Sequence, residues 1–141
     1  MFGRTVTIFS KHHGWWYPRV FNDTQISRDR GYITRTYGET ANETISVDIK
    51  RINGKAEGKY DFYEPKAWSE LQDVTGKVAF NTGDILWEGD YSTIDANLLP
   101  IEDASVPKGF YSYFRGLHDM VYTLTQAATY VEIPHWEIAG R

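Results

Sequence analysis

Between Thr44 and Lys50 the chain alternates without interruption: Ile45, Val47 and Ile49 are apolar, whereas Ser46, Asp48 and Lys50 are polar. Only an extended strand repeats every two residues, so this segment is a strand with one face buried and one face wet. Arg4–Thr5–Val6–Thr7–Ile8–Phe9, rich in β-branched residues, reads as an opening strand. His12–His13–Gly14 signals a turn, and Trp15 to Phe21 returns as a second strand in which Pro18 argues for an edge or a bulge. Asn22 to Glu43 is polar and broken by Asp23, Asp29, Gly31, Gly38 and Asn42, and reads as a long loop, with Tyr32 to Tyr37 as a short extended piece near its tip.

Asn53–Gly54 opens a glycine-containing loop that reaches Tyr60. Glu64 to Leu71 then predicts one short helix with Pro65 in its first turn and Trp68 and Leu71 on its buried face. Ile85 to Gly89 is a brief strand entered through Thr82–Gly83–Asp84. No pattern is assigned to Ile94–Ile101, and Val106 to Gly116 reads as an aromatic-rich loop. Asp119–Ala127 and Tyr130–Ile138 read as a closing antiparallel pair, the second bulging or starting afresh after Pro134. There is no repeat or low-complexity tract. The sum is a mainly β fold: a small barrel or sandwich of about seven strands with one short helix and long loops, in one domain over residues 1–141.

Composition narrows what such a domain can do. With 141 residues there is material for one core, and 16% aromatic residues exclude wholesale disorder. The absence of Cys removes disulfide and thiolate chemistry. No leader-like segment and no apolar run of membrane-spanning length is visible, so a soluble protein is expected. Residues 1–60 carry 10 Lys+Arg against 6 Asp+Glu, and residues 61–141 carry 5 against 13, or +4 and −8. These charges either coat a surface or form complementary faces between subunits, where they fix register and partner choice. No dense Lys/Arg stripe for duplex DNA is present.

Candidate chemistry is sparse. His12, His13, His118 and His135 are the histidines; adjacent strand residues face opposite ways, so His12 and His13 do not readily share a metal. His118–Asp119 and His135 lie on elements expected to be antiparallel neighbours, but surface or interface histidines are the simpler reading, and no metal or cofactor is expected. Asp84, Glu88, Asp90 and Asp95 form the densest carboxylate cluster, which a small hydrolase could use; flanking Gly83 and Gly89, they read as turn residues instead. No GxSxG, HExxH or phosphate-cradling loop occurs, so catalysis is not expected. Trp15–Trp16–Tyr17 and Phe110–Tyr111–Ser112–Tyr113–Phe114 could stack sugar rings, as in a carbohydrate-binding β-module. Alternatively, some members fill the core while Trp15, Trp16, Phe110, Tyr111 and Tyr113 serve subunit contacts.

In order along the chain, "TVTIFSKHHG", "WYPRVF", "TISVDIKR", "YEPKAWSEL", "NTGDILWEGD" and "IPHWEIAGR" resemble segments of small head–tail joining proteins of siphophages and prophages of Gram-positive bacteria. These are also known as head-closure or minor capsid proteins. Arg28–Thr40 and Asn97–Gly116 match no motif of that family. The resemblance implies a β-barrel protomer in a ring of its own copies, expected as a hexamer, in the virion neck. It sits between a portal or adaptor protein and a tail-terminator or tail-tube protein, and is present in the host cytoplasm during assembly. DNA would pass through the ring without sequence-specific binding. Some members close the channel with an inward loop, a stopper role that would fall here to Asn22–Glu43, with Arg28, Asp29, Arg30, Arg35 and Glu39 facing the channel or docking a neighbour. A head–tail adaptor or tail terminator is the nearest alternative. The C-terminal His135, Trp136 and Ile138 would either seal the barrel or extend a neighbour's sheet, and the alternation of Trp136 and Ile138 favours sealing.

Overall fold

The structure, a computed structural model, describes residues 3–30, 43–130 and 135–141. Strand β1 (Arg4–His12) turns at His13 and Gly14 into β2 (Trp15–Arg30). Both turn residues have positive φ, 50° and 84°, which suits the right-handed twist of the paired strands and is least costly for glycine. Next come β3 (Glu43–Ile52), β4 (Lys55–Ala56), β5 (Tyr60–Phe62), helix α1 (Pro65–Glu70), β6 (Lys77–Val78) and β7 (Ile85–Trp87). The chain ends with β8 (Ile101–Glu102), helix α2 (Phe110–Leu117), β9 (Val121–Tyr130) and β10 (His135–Gly140).

Six of these strands close on themselves in the order β1–β2–β3–β10–β9–β7 and back to β1, every pair antiparallel. The fold is mainly β and its centre is a closed six-stranded barrel. Closure leaves its strands no open edge, which is why an interior can be built from alternate residues all round. Val6 and Ile8 (β1), Phe21 (β2), Ile45, Val47 and Ile49 (β3), Leu86 (β7), Tyr122 and Leu124 (β9), and Trp136 and Ile138 (β10) fill it. Ala56, Val78 and Phe80, with Tyr60 and Phe62 beside them, belong to the same cluster.

The wall is not equally wet all round. On the β1–β2–β7–β9 side a second cluster covers the outside: Phe9, Trp16, Val20, Ile85 and Val121 meet Phe110 and Phe114 of α2 and Tyr91. β1 is therefore buried on both faces from Val6 to Ser10. Its buried polar residues are satisfied: the outward Thr7 hydroxyl donates to Gly89 O (2.9 Å) and accepts from Tyr91 N (3.0 Å), and Ser10, on the face of Val6 and Ile8, donates to Ala79 O (2.8 Å). On the β3–β10 side no helix among the described residues covers the wall, and Ser46, Asp48 and Lys50 face outward, as the alternation predicts.

α1 forms as predicted, and Trp68 is buried with its indole N–H donating to Lys11 O (2.9 Å). Val106–Gly116 differs from expectation: Phe110 to Leu117 is a helix. Phe110 and Phe114, four apart, lie on one buried face. Two α-helices and ten strands are thus present among the described residues, against one helix and about seven strands expected. The largest correction concerns Asn22–Glu43. Residues 22–30 are not a loop but continue β2, pairing with β3 from Gln25↔Asp48 to Arg30↔Glu43. The ladder supplies backbone bonds that this polar composition does not reveal. Near residues 22–23 the β1–β2 register slips. There the Glu57 carboxylate accepts the Asn22 and Asp23 backbone N–H groups, each at 2.9 Å. Residues 31–42, with Arg35 and Glu39, lie outside the described residues.

Pro18 pairs with Phe9 on β1, and β8 and β3 contact β2 on either side of it, at 15–16 and 25–30, so no partner strand needs its missing N–H. β10 lies between β3 and β9, sealing the barrel. Gly140 lets the strands approach closely there: a Cβ would sit 3.1 Å from Tyr122 Cβ and 3.2 Å from Thr123 O, tighter than ordinary contact.

Candidate functional site

The five aromatics expected at interfaces divide. Trp16 (4% exposed) and Phe110 (3%) are core residues of the second cluster, because α2 folds over them and removes them from any partner's reach. Trp15 at the hairpin tip and Tyr113 (52% exposed) on α2 are open, and Tyr111 is half-buried, its hydroxyl accepting from Arg115 Nη1 at 3.0 Å. Leu117 (60% exposed), one turn after Tyr113, and Met120 (45%) just beyond the helix are also open. Residues that sequence reasoning did not select, Leu117 and Met120, thus join Tyr113. Periodicity alone would not have found them: Tyr113 and Leu117 fall on the same helical stripe as Phe110 and Phe114, and only the tertiary structure leaves them open.

Asp103 fixes this helix. Its Oδ1 accepts from Phe110 N (2.9 Å) and from the Trp16 indole N–H (2.8 Å), and these two bonds, the backbone one foremost, hold the carboxyl below the usual range.

The 84–95 carboxylates do not converge. Asp84 is buried and accepts from Asn81 N (3.0 Å) and Lys11 N (3.2 Å). Burial nonetheless pushes its pKa up to about 7, outweighing the two N–H bonds that favour the anion. Glu88 pairs with Arg4 at 2.7 Å, Asp90 accepts from Ser92 N (2.9 Å), and Asp95 accepts from Asn97 N (3.0 Å) and Leu99 N (2.9 Å). Each carboxylate holds a different piece of the chain. An open depression of about 530 Å³ lies over Asp84, lined also by Lys11, Trp16, Asn81, Tyr111 and Thr123. The Lys11 ammonium stands 5.2 Å over the Trp16 ring.

The histidines have separate settings. His12 is buried beside Trp68 and stacked on His13 at 3.8 Å, and burial, followed by the His13 charge, lowers its pKa. His118 packs on Phe114 (4.3 Å) and Trp87 (4.9 Å). His135 stands on the outer wall with Asp48 and Glu137, one donor atom of each within 4.8 Å of the others. This grouping was not foreseen. Period two on β10 places His135 and Glu137 on one face, but only the register brings Asp48 opposite Glu137.

Arg28, Asp29 and Arg30 lie at the end of β2, paired in backbone register with Ile45, Thr44 and Glu43. Trp136 and Ile138 are buried in the barrel, as expected of a sealing strand. The two charge halves meet within this chain at Arg4–Glu88 and at Lys55–Asp61 (3.9 Å). No helix among the described residues is long and apolar enough to cross a membrane.

Fold and surface together define a closed antiparallel β-barrel domain flanked by a helix that leaves Tyr113 and Leu117 exposed. No family model, curated protein or solved structure matches the chain.

Proposed function

We propose that this chain is a structural protein of a tailed-phage neck, a head-closure subunit that works by docking to copies of itself and to the rings above and below. The reading rests on the ordered sequence resemblance. The observation that carries it is how the chemistry is distributed over the surface. Asp84, Glu88, Asp90 and Asp95 are each bound to the chain's own backbone or to Arg4, while Tyr113, Leu117 and Met120 stand exposed. Large apolar side chains left exposed close together in sequence suit a protein partner better than a small molecule. A head-to-tail ring needs two different patches on each protomer, and in this reading the exposed side chains of α2 supply one and the paired ends of β2 and β3 the other. Channel gating by the segment between β2 and β3 belongs to the same proposal, as do the virion location and the absence of catalysis. An adaptor or tail terminator would use the same surfaces. A carbohydrate module is less favoured, because Trp16 and Phe110 offer no open ring face.

The test is a double variant, Tyr113→Glu with Leu117→Glu. Both positions are exposed, so the urea midpoint should stay within about 0.5 kcal/mol of the parent. Particles produced with the variant should lack joined tails in electron micrographs. Normal tailed particles with a full complement of the variant in the neck would refute the assignment of this face.

A further inference from the structure

The β3–β10 side of the barrel carries a cluster that the neck reading does not use. Asp48 of β3 and Glu137 of β10 are direct cross-strand partners, and His135, two residues before Glu137, shares their face. Two carboxylates opposite each other destabilise an antiparallel pair unless something positive lies between them. Lys50, next along β3 on this face, has Asp23 among its partners. The Asp48, His135 and Glu137 donor atoms all lie within 4.8 Å of one another, close to the span of ligands around a small cation with bonds of about 2.0–2.2 Å.

The supports of this cluster are stiff. Ile49, Trp136 and Ile138, its sequence neighbours, are locked in the barrel interior, so the three ligands stand on ordered strands rather than on a loop. Asp48 and His135 are half-buried and Glu137 is exposed, which leaves an open side for water. One imidazole and two carboxylates match a borderline transition ion; Ca²⁺ calls for about six to eight oxygens and is poorly served here. We propose that Asp48, His135 and Glu137 form a site for a divalent transition-metal ion, Zn²⁺ being the best match, which ties β3 to the final strand and completes its coordination with water. The inference is independent of the neck assignment.

The experiment uses the full chain, freed of any affinity tag and stripped with EDTA, titrated with ZnCl₂ by calorimetry and followed by thermal unfolding. One equivalent should bind, and saturating Zn²⁺ should raise Tm by about 4 °C or more, with no such rise from CaCl₂. His135→Gln and Glu137→Gln should each weaken Zn²⁺ binding about tenfold or more and remove the rise in Tm. His13→Gln, at an exposed histidine away from the cluster, should change neither. Asp48→Asn should also lose the Zn²⁺ response, yet without metal it should unfold no earlier than the parent, since it relieves the opposed charges; that keeps a folded reference variant. The proposal is overturned if Zn²⁺ gives no binding heat, if His135→Gln and Glu137→Gln bind as tightly as the parent, or if Ca²⁺ stabilises as well as Zn²⁺.

Discussion

Asp84 shows how one buried carboxyl couples folding to pH. Its native pKa of about 7 lies above its ordinary 3.8, so between these values the folded chain holds a proton that the unfolded chain releases. The group therefore favours the native state fully below about pH 4, and that contribution is lost as pH rises through 7. Across a gap of about three pH units it amounts to roughly 4 kcal/mol as an order of magnitude. His12 slopes the other way: with its pKa lowered by burial, it favours the native state above about 6.5 and opposes it as pH falls. The two partly cancel, so the informative quantity is the difference between Asp84→Asn and the parent in urea midpoint at pH 4.5 and at pH 7.5. The parent should lose stability relative to the variant over that interval. Parallel pH profiles for the two proteins would mean that Asp84 titrates normally in the native state.

At the scale of elements, α2 is the piece that tertiary contacts create. Phe110–Tyr111–Ser112–Tyr113–Phe114 has weak intrinsic helix preference, and its aromatic content reads equally well as a loop or a stacking surface. Packing decides: Phe110 and Phe114 each lie 5.2 Å from Phe9, ring centroid to ring centroid, on the barrel's outer wall. Asp103 then ties the first turn to Trp16. Asp103→Ala would leave a mostly buried indole N–H without its acceptor and should cost about 2 kcal/mol. Hydrogen exchange would locate the loss. Amides of 110–117 should exchange faster while those of 45–49 and 136–138 keep their protection; equal loss in both regions would mean that α2 and the barrel unfold as one unit. β2 makes the converse point. From Gln25 to Ser27 its residues are half-exposed or exposed, so hydrophobic patterning fades while the β3 ladder continues.

For the whole molecule, closure depends on β10. It pairs with β3 on one side and β9 on the other, and it brings Trp136 and Ile138 into the common interior. Ile138→Ala removes apolar volume at a fully buried wall position and should lower the unfolding free energy by about 2–5 kcal/mol in urea titrations. A cost below about 1 kcal/mol would imply that the barrel does not rely on its last strand.

The strand identity of Thr44–Lys50, the outward face of Asp48, the α1 helix and the sealing alternation of Trp136 and Ile138 were legible from local periodicity, since each depends on residues within about one turn or two strand repeats. Other features came only from the tertiary structure. These were the second burial of β1 under α2, the extension of β2 through residue 30, the withdrawal of Trp16 and Phe110 into the core, and the meeting of Asp48 with His135 and Glu137. All of them depend on register and on contacts between residues far apart in the chain. Periodicity fixes which way a side chain points, whereas what it then meets is set by which strand lies alongside.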